Sequence, residues 1–145
     1  MTYKTLSKRQ AAVLTAMGRG LIPSGGPHFS PGAADMAHQW LPQVDYALSR
    51  MPVSTRMGLK IMLRIIDYGL PMLVMKRPVS ITRLKDDHLE VLMDRTERSG
   101  VLGAAAMVIV KVLIFPAFYG IKEVQAAMGY SPRFPMPEYF QCLKE

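Results

Sequence analysis

The sequence predicts an all-α protein: a single-domain irregular bundle of about five to six helices with an extended C-terminal arm. Apolar residues recur at helical spacing along most of the 145 residues, and the alternation typical of β-strands is almost absent. The end of the chain contains Pro132, Pro135 and Pro137, which disfavour a regular helix. We therefore expect a helical domain at residues 1–130 and the arm at residues 131–145.

The first two helices are predicted from a cap and from apolar spacing. Ser7 and Gln10 have the spacing of a capping box, so the first helix is expected to begin there. It should end near Pro23, where a loop rich in glycine and proline follows. A second helix is expected from Ala33 to Arg50, with Pro42 kinking or restarting it.

Two longer helices, at residues 57–74 and 101–119, are predicted to be almost entirely apolar. In the first, Lys60, Arg64 and Asp67 form one narrow polar stripe, and the second carries a single charged residue. A helix that is apolar on its other sides is expected to be buried on those sides. Two such helices exceed what a small bundle can cover, so we also expect some apolar surface to meet another protein.

Two short helices complete the predicted bundle. The first of these helices is expected to begin at the acidic residue Asp87 and to end near Gly100. The other runs from Ile121 to Met128 and stops at Gly129, a residue suited to a helix C-cap.

The net charge limits the classes of partner. The chain has 18 Lys and Arg residues against 11 Asp and Glu residues, a formal net charge of +7. Such basicity fits an acidic protein, an anionic membrane or nucleic acid equally well. No predicted helix combines basic with base-reading side chains, and the basic stretches lack interleaved aromatic residues. We therefore expect no nucleic-acid partner, and a basic nucleic-acid-binding helical protein is the least favoured alternative.

Few residues suit catalysis, redox chemistry or metal binding. The single cysteine, Cys142, excludes an internal disulfide and an iron–sulfur or cysteine-built zinc site made by this chain alone. The three histidines lie on different elements, and neither a nucleophile elbow nor a phosphate-binding glycine motif is present. Arg64 and Asp67, three residues apart, are expected to form a core or interface ion pair. We expect no catalytic, cofactor-binding or metal-binding residues.

The two apolar helices are close to the minimum length of a membrane span. Charges within both argue against spanning, because a charge at the bilayer centre costs several kcal/mol unless it is paired. We expect a core helix pair. The alternative is a membrane-associated subunit that anchors a redox complex, with Val101 to Tyr119 and the basic stretches in peripheral contact with anionic lipid. No signal peptide is recognised at the N-terminus, so the expected location is cytoplasmic.

An ordered set of features resembles a known family. Its parts are Leu-Ser-x-Arg-Gln at residues 6–10, Leu-Ile-Pro at 21–23, Pro-Gly-Ala at 31–33, an Asp-rich short helix with Arg-Ser at 98–99, and Met-Gly-Tyr at 128–130, with the two apolar helices between them. Over residues 6–130 the chain resembles the small, cofactor-free subunit of flavin-dependent dehydrogenases of the glucose-methanol-choline type, as in the gluconate 2-dehydrogenase small-subunit family.

The resemblance implies a non-catalytic, all-helical accessory subunit in a hetero-oligomer. Such a subunit binds, stabilises and matures a large FAD-containing subunit that oxidises an alcohol or sugar-type CH–OH group. FAD is expected in the partner and no cofactor in this chain, and an electron-transfer protein is a further partner class. Family members commonly carry a twin-arginine signal, and this sequence departs from that pattern, which favours an intracellular complex.

The candidate partner-contact residues come from the glycine-rich loop, the polar stripe and the arm. They are Gly25, Gly26, Pro27, His28, Phe29, Arg64, Asp67, Phe134, Tyr139 and Phe140.

Overall fold

The computed structural model describes residues 3–26 and 30–130. Helices make up 74% of the structure, and these residues contain no strand, which confirms the predicted all-α bundle. The C-terminal arm lies outside the described residues. The elements in chain order are α1 (Lys8–Leu21), α2 (Ala37–Arg50), α3 (Val53–Met75), a 3-10 helix (Ile81–Arg83), α4 (Asp86–Arg98), α5 (Val101–Tyr119) and α6 (Lys122–Ala127).

The helix α1 is the centre of the bundle and packs against α3, α4 and α5. It begins as predicted, because the Ser7 hydroxyl accepts a hydrogen bond from the Gln10 N–H and the Gln10 side chain accepts one from the Ser7 N–H. Its residues Val13, Leu14 and Met17 are buried in the core. The cap and the apolar spacing together therefore place α1 correctly from sequence.

The helix α2 begins at Ala37, so the predicted start at Ala33 is wrong. The Asp35 carboxylate accepts hydrogen bonds from the Ser24 hydroxyl (2.6 Å) and the Gly32 N–H (2.8 Å), and these bonds hold the residues before α2 in a turn. Pro42 lies within α2, which continues through it without restarting.

A buried carboxylate on α2 holds the backbone of residues 4–6. Asp45 accepts hydrogen bonds from three backbone N–H groups: those of Lys4 (2.8 Å), Thr5 (2.9 Å) and Leu6 (2.7 Å). These bonds hold Leu6 in the core beside α1. No sequence feature singled out Asp45, because its partners lie about forty residues away and are backbone groups.

The helices α4 and α5 are joined by a turn that requires glycine. Gly100 has φ +102°, a conformation that L side chains rarely adopt. A Cβ atom on Gly103 would lie 2.2 Å from the carbonyl oxygen of Thr96, so the glycine allows the start of α5 to approach the end of α4.

Candidate interaction surface

The helix α3 buries Asp67 of its polar stripe and turns much of its apolar surface outward. Leu63, Ile66, Asp67 and Pro71 are buried. The outward side chains are at least half exposed: Val53, Met57, Ile61, Ile65, Tyr68, Met72 and Leu73. The prediction that α3 is buried on every side except one polar stripe is therefore wrong for the isolated chain.

The helix α5 is also only partly covered by the rest of the chain. Its inner side chains, among them Met107, Val110 and Ile114, reach the core. Its single charged residue, Lys111, binds both carboxylate oxygens of Glu97 on α4, at 2.8 and 2.9 Å. The exposed apolar residues of α5 are Val101, Leu102, Val108, Ile109, Val112 and Tyr119. The two long helices are thus not the fully buried core pair expected from sequence.

A groove of about 460 Å³ joins these two helices. Thr55, Gly58, Leu59 and Met62 line it from α3, with Met51 just before that helix, and Val108, Ile109, Val112 and Leu113 line it from α5. Thr55 is the one lining residue with a polar side chain. We call the groove and the exposed apolar residues of α3 and α5 the apolar face.

A cleft of about 500 Å³ lies between α3 and the N-terminal part of α1. Asp67 is buried here, and its two carboxylate oxygens accept hydrogen bonds from Arg9 Nε (2.7 Å) and from the Ser80 hydroxyl. The predicted Arg64–Asp67 pair is therefore wrong. Arg64 is exposed at the cleft, and within the described part of the chain no carboxylate lies at ion-pair distance from it.

The cleft carries an excess of positive charge. Arg9, Lys60 and Arg64 line it together with the single carboxylate of Asp67. Hydrogen bonding to Tyr68, followed by hydrogen bonding and charge attraction to Asp67, raises the pKa of Arg9, so its guanidinium stays charged. The same guanidinium lies over the Tyr68 ring, 4.8 Å from the ring centroid. Three cations and one carboxylate suit an anionic group better than a cation.

Two of the predicted partner-contact residues of the glycine-rich loop, Gly25 and Gly26, lie within the described residues. Gly25 and Gly26 are exposed and line neither the cleft nor the groove. Pro27, His28, Phe29, Phe134, Tyr139 and Phe140 lie outside the described residues. The structure therefore brings Arg64 and Asp67 to one cleft and does not place the loop glycines there.

The acidic residue that closes this loop is held as a carboxylate. The hydrogen bond from the Ser24 hydroxyl, and then that from the Gly32 N–H, lower the pKa of Asp35. Asp35 therefore acts as a structural acceptor at the start of α2. Among residues 3–26 and 30–130, no group of three or more His, Cys, Asp or Glu side chains could hold a metal ion.

Comparisons with protein-family models, curated proteins and solved structures found no match. The resemblance to the small dehydrogenase subunits thus rests on the ordered sequence features alone. Within the described residues, α5 is the one helix that is long and apolar enough to cross a membrane by length and composition.

Proposed function

We propose that this chain is a non-catalytic helical subunit that binds a larger protein through the apolar face. The observation that carries the proposal is the exposure of seven large apolar side chains on α3 and six on α5, on either side of an apolar groove. Soluble monomers rarely expose a contiguous apolar surface of this kind, whereas subunits of permanent complexes do. A partner that packs against the apolar face buries the apolar side chains that the rest of this chain leaves exposed.

The proposed partner is a large FAD-containing dehydrogenase subunit that acts on an alcohol or sugar-type CH–OH donor. The ordered features of residues 6–130 support this choice. In the proposed cytoplasmic complex the partner holds FAD, and this chain stabilises and matures it without contributing a reacting group. An electron-transfer protein is a further component of such a complex.

Purification of the tagged chain from its native host tests both parts of the proposal. We expect a large flavoprotein to co-purify in fixed stoichiometry, identified by its flavin absorbance and its mass. Ile61→Glu on α3 and Val112→Glu on α5 place a charge on the apolar face, so both should lose the partner. Val91→Glu on α4 makes the same chemical change at an exposed site outside the face and should retain it.

Two results contradict the proposal. One is a stable, soluble monomer that carries no partner when isolated from the native host. The other is equal recovery of the partner with Ile61→Glu, Val112→Glu and Val91→Glu. A partner without bound flavin would refute the flavoprotein assignment and leave the docking role standing.

A second candidate function is that of a membrane-associated subunit, and the character of α5 favours it. Only 28% of the apolar window of this helix is buried by the rest of the chain. Membrane fractionation of the native host tests this candidate: the protein should then stay with the membranes until detergent is added. Full recovery in the soluble fraction at low salt without detergent contradicts it.

A further inference from the structure

The cleft between α1 and α3 adjoins the apolar face. Met57 and Ile61 belong to both, since they are exposed apolar residues of α3 and also line the cleft. A protein that covers the α3 part of the apolar face therefore also covers the mouth of the cleft. The groups in the cleft then lose contact with water when the complex forms.

Two cations in this cleft have no partner of opposite charge in the described part of the chain. Both oxygens of Asp67 are already occupied, one by Arg9 and the other by the Ser80 hydroxyl. Lys60 and Arg64 lie one helical turn apart on α3 and both line the cleft. Covering these cations without a counter-charge is unfavourable, because a charge removed from water must be paired or hydrogen-bonded.

We propose that this cleft binds an Asp or Glu side chain of the protein segment that covers the apolar face, with Lys60 and Arg64 as its ion-pair partners. This inference rests on the proposed function, because the covering segment belongs to the proposed partner. The apolar walls include Leu6, Val13 and Leu63, which suit the aliphatic stem of an acidic residue.

The charges of the cleft attract an anionic group. Arg9 is paired with Asp67, which leaves the charges of Lys60 and Arg64 for an anion that enters. The arginine guanidinium matches a carboxylate with two parallel hydrogen bonds. The net charge of +7 also increases the rate of encounter with an acidic partner.

An NMR titration of the ¹⁵N-labelled full-length chain tests the site without the partner. The probe is a short amphipathic peptide with leucine and glutamate side chains, and the matched peptide has glutamine in place of every glutamate. We expect the acidic peptide to shift the backbone amides of Lys60 and Arg64. Lys60→Gln and Arg64→Gln should each weaken its binding about threefold. Lys122→Gln, which removes an exposed cation on α6, should leave binding unchanged.

Four results overturn the inference. In the first, the glutamine peptide binds as tightly as the acidic peptide; in the second, Lys122→Gln weakens binding as much as Lys60→Gln and Arg64→Gln do. In the third, inorganic phosphate at the same concentration shifts the Lys60 and Arg64 amides as much as the acidic peptide does. In the fourth, phosphatidylglycerol vesicles shift these amides and the acidic peptide does not. The last result assigns the cleft to lipid. If the titration fails while the flavoprotein still co-purifies, the proposed carboxylate site is refuted and the proposed function stands. Loss of co-purification with an intact titration refutes the proposed function alone.

Discussion

The hydrogen bonds of Asp45 give the sharpest stability prediction. This carboxylate is buried, and Oδ1 accepts from the Thr5 and Leu6 N–H groups while Oδ2 accepts from the Lys4 N–H. Asp45→Ala removes all three acceptors. In Asp45→Asn, the one remaining carbonyl oxygen can accept from two of the three N–H donors, and the amide N–H₂ group faces the third donor.

A hydrogen bond to a charged group contributes about 1.5–3 kcal/mol, and a donor left unpaired adds its desolvation cost. The Lys4 and Thr5 N–H groups are near the surface and can bond to water, so the loss is dominated by the Leu6 N–H. We expect Asp45→Ala to lower the free energy of unfolding by about 3 kcal/mol and Asp45→Asn by about 1.5 kcal/mol.

Urea denaturation followed by tryptophan fluorescence measures this effect. Trp40 is the single tryptophan of the chain, and it is fully buried with its Nε1–H donating to the Ala33 carbonyl (2.7 Å). With a slope of about 1.5 kcal/mol per molar urea, the midpoint should fall by about 2 M for Asp45→Ala. A change of less than about 0.5 kcal/mol, the range of ordinary surface substitutions, would show that these hydrogen bonds do not stabilise the fold.

Three further predictions concern other parts of the chain. Asp67→Ala should lower the urea midpoint and Arg64→Ala should not; equal effects would indicate that these two side chains pair. Gly103→Ala should destabilise the protein by about 2 kcal/mol in thermal unfolding, because the added methyl overlaps a carbonyl of α4, and an unchanged melting temperature would contradict this. The lowered pKa of Asp35 means that its loop bonds are present at pH values above the unfolded pKa and are lost as the pH falls through the folded pKa. The Gly32 amide resonance should shift over that range in the wild type and should not shift in Asp35→Asn.

The sequence was informative where local chemistry determines the outcome. The capping box at Ser7 placed the start of α1, and uninterrupted apolar residues placed α5 at Val101–Tyr119, as found. The predicted start of α2 was wrong because the Asp35 carboxylate accepts hydrogen bonds from Ser24 and Gly32 and holds these residues in a turn. Such a contact between loop residues produces no periodic pattern in the sequence.

The orientation of α3 could not be predicted from its own residues. Its apolar sides were expected to be buried, and Arg64 and Asp67 were expected to form a core or interface ion pair. Asp67 instead finds Arg9 and Ser80, which lie 58 and 13 positions away in the chain. These partners make burial of the carboxylate favourable and turn the opposite, apolar side of the helix outward. An acidic residue in an apolar helix signals a buried polar contact, but the partner is set by the tertiary fold.

Methionine oxidation measures directly whether a partner covers the apolar face. In the isolated chain Met57 and Met72 of α3 are 57% and 62% exposed, and Met128, after α6, is 57% exposed, so mild peroxide should oxidise all three at similar rates. In the complex purified from the native host, we expect strong protection of Met57 and Met72 with continued oxidation of Met128. Equal oxidation of Met57 and Met72 in the isolated chain and in the complex would contradict it.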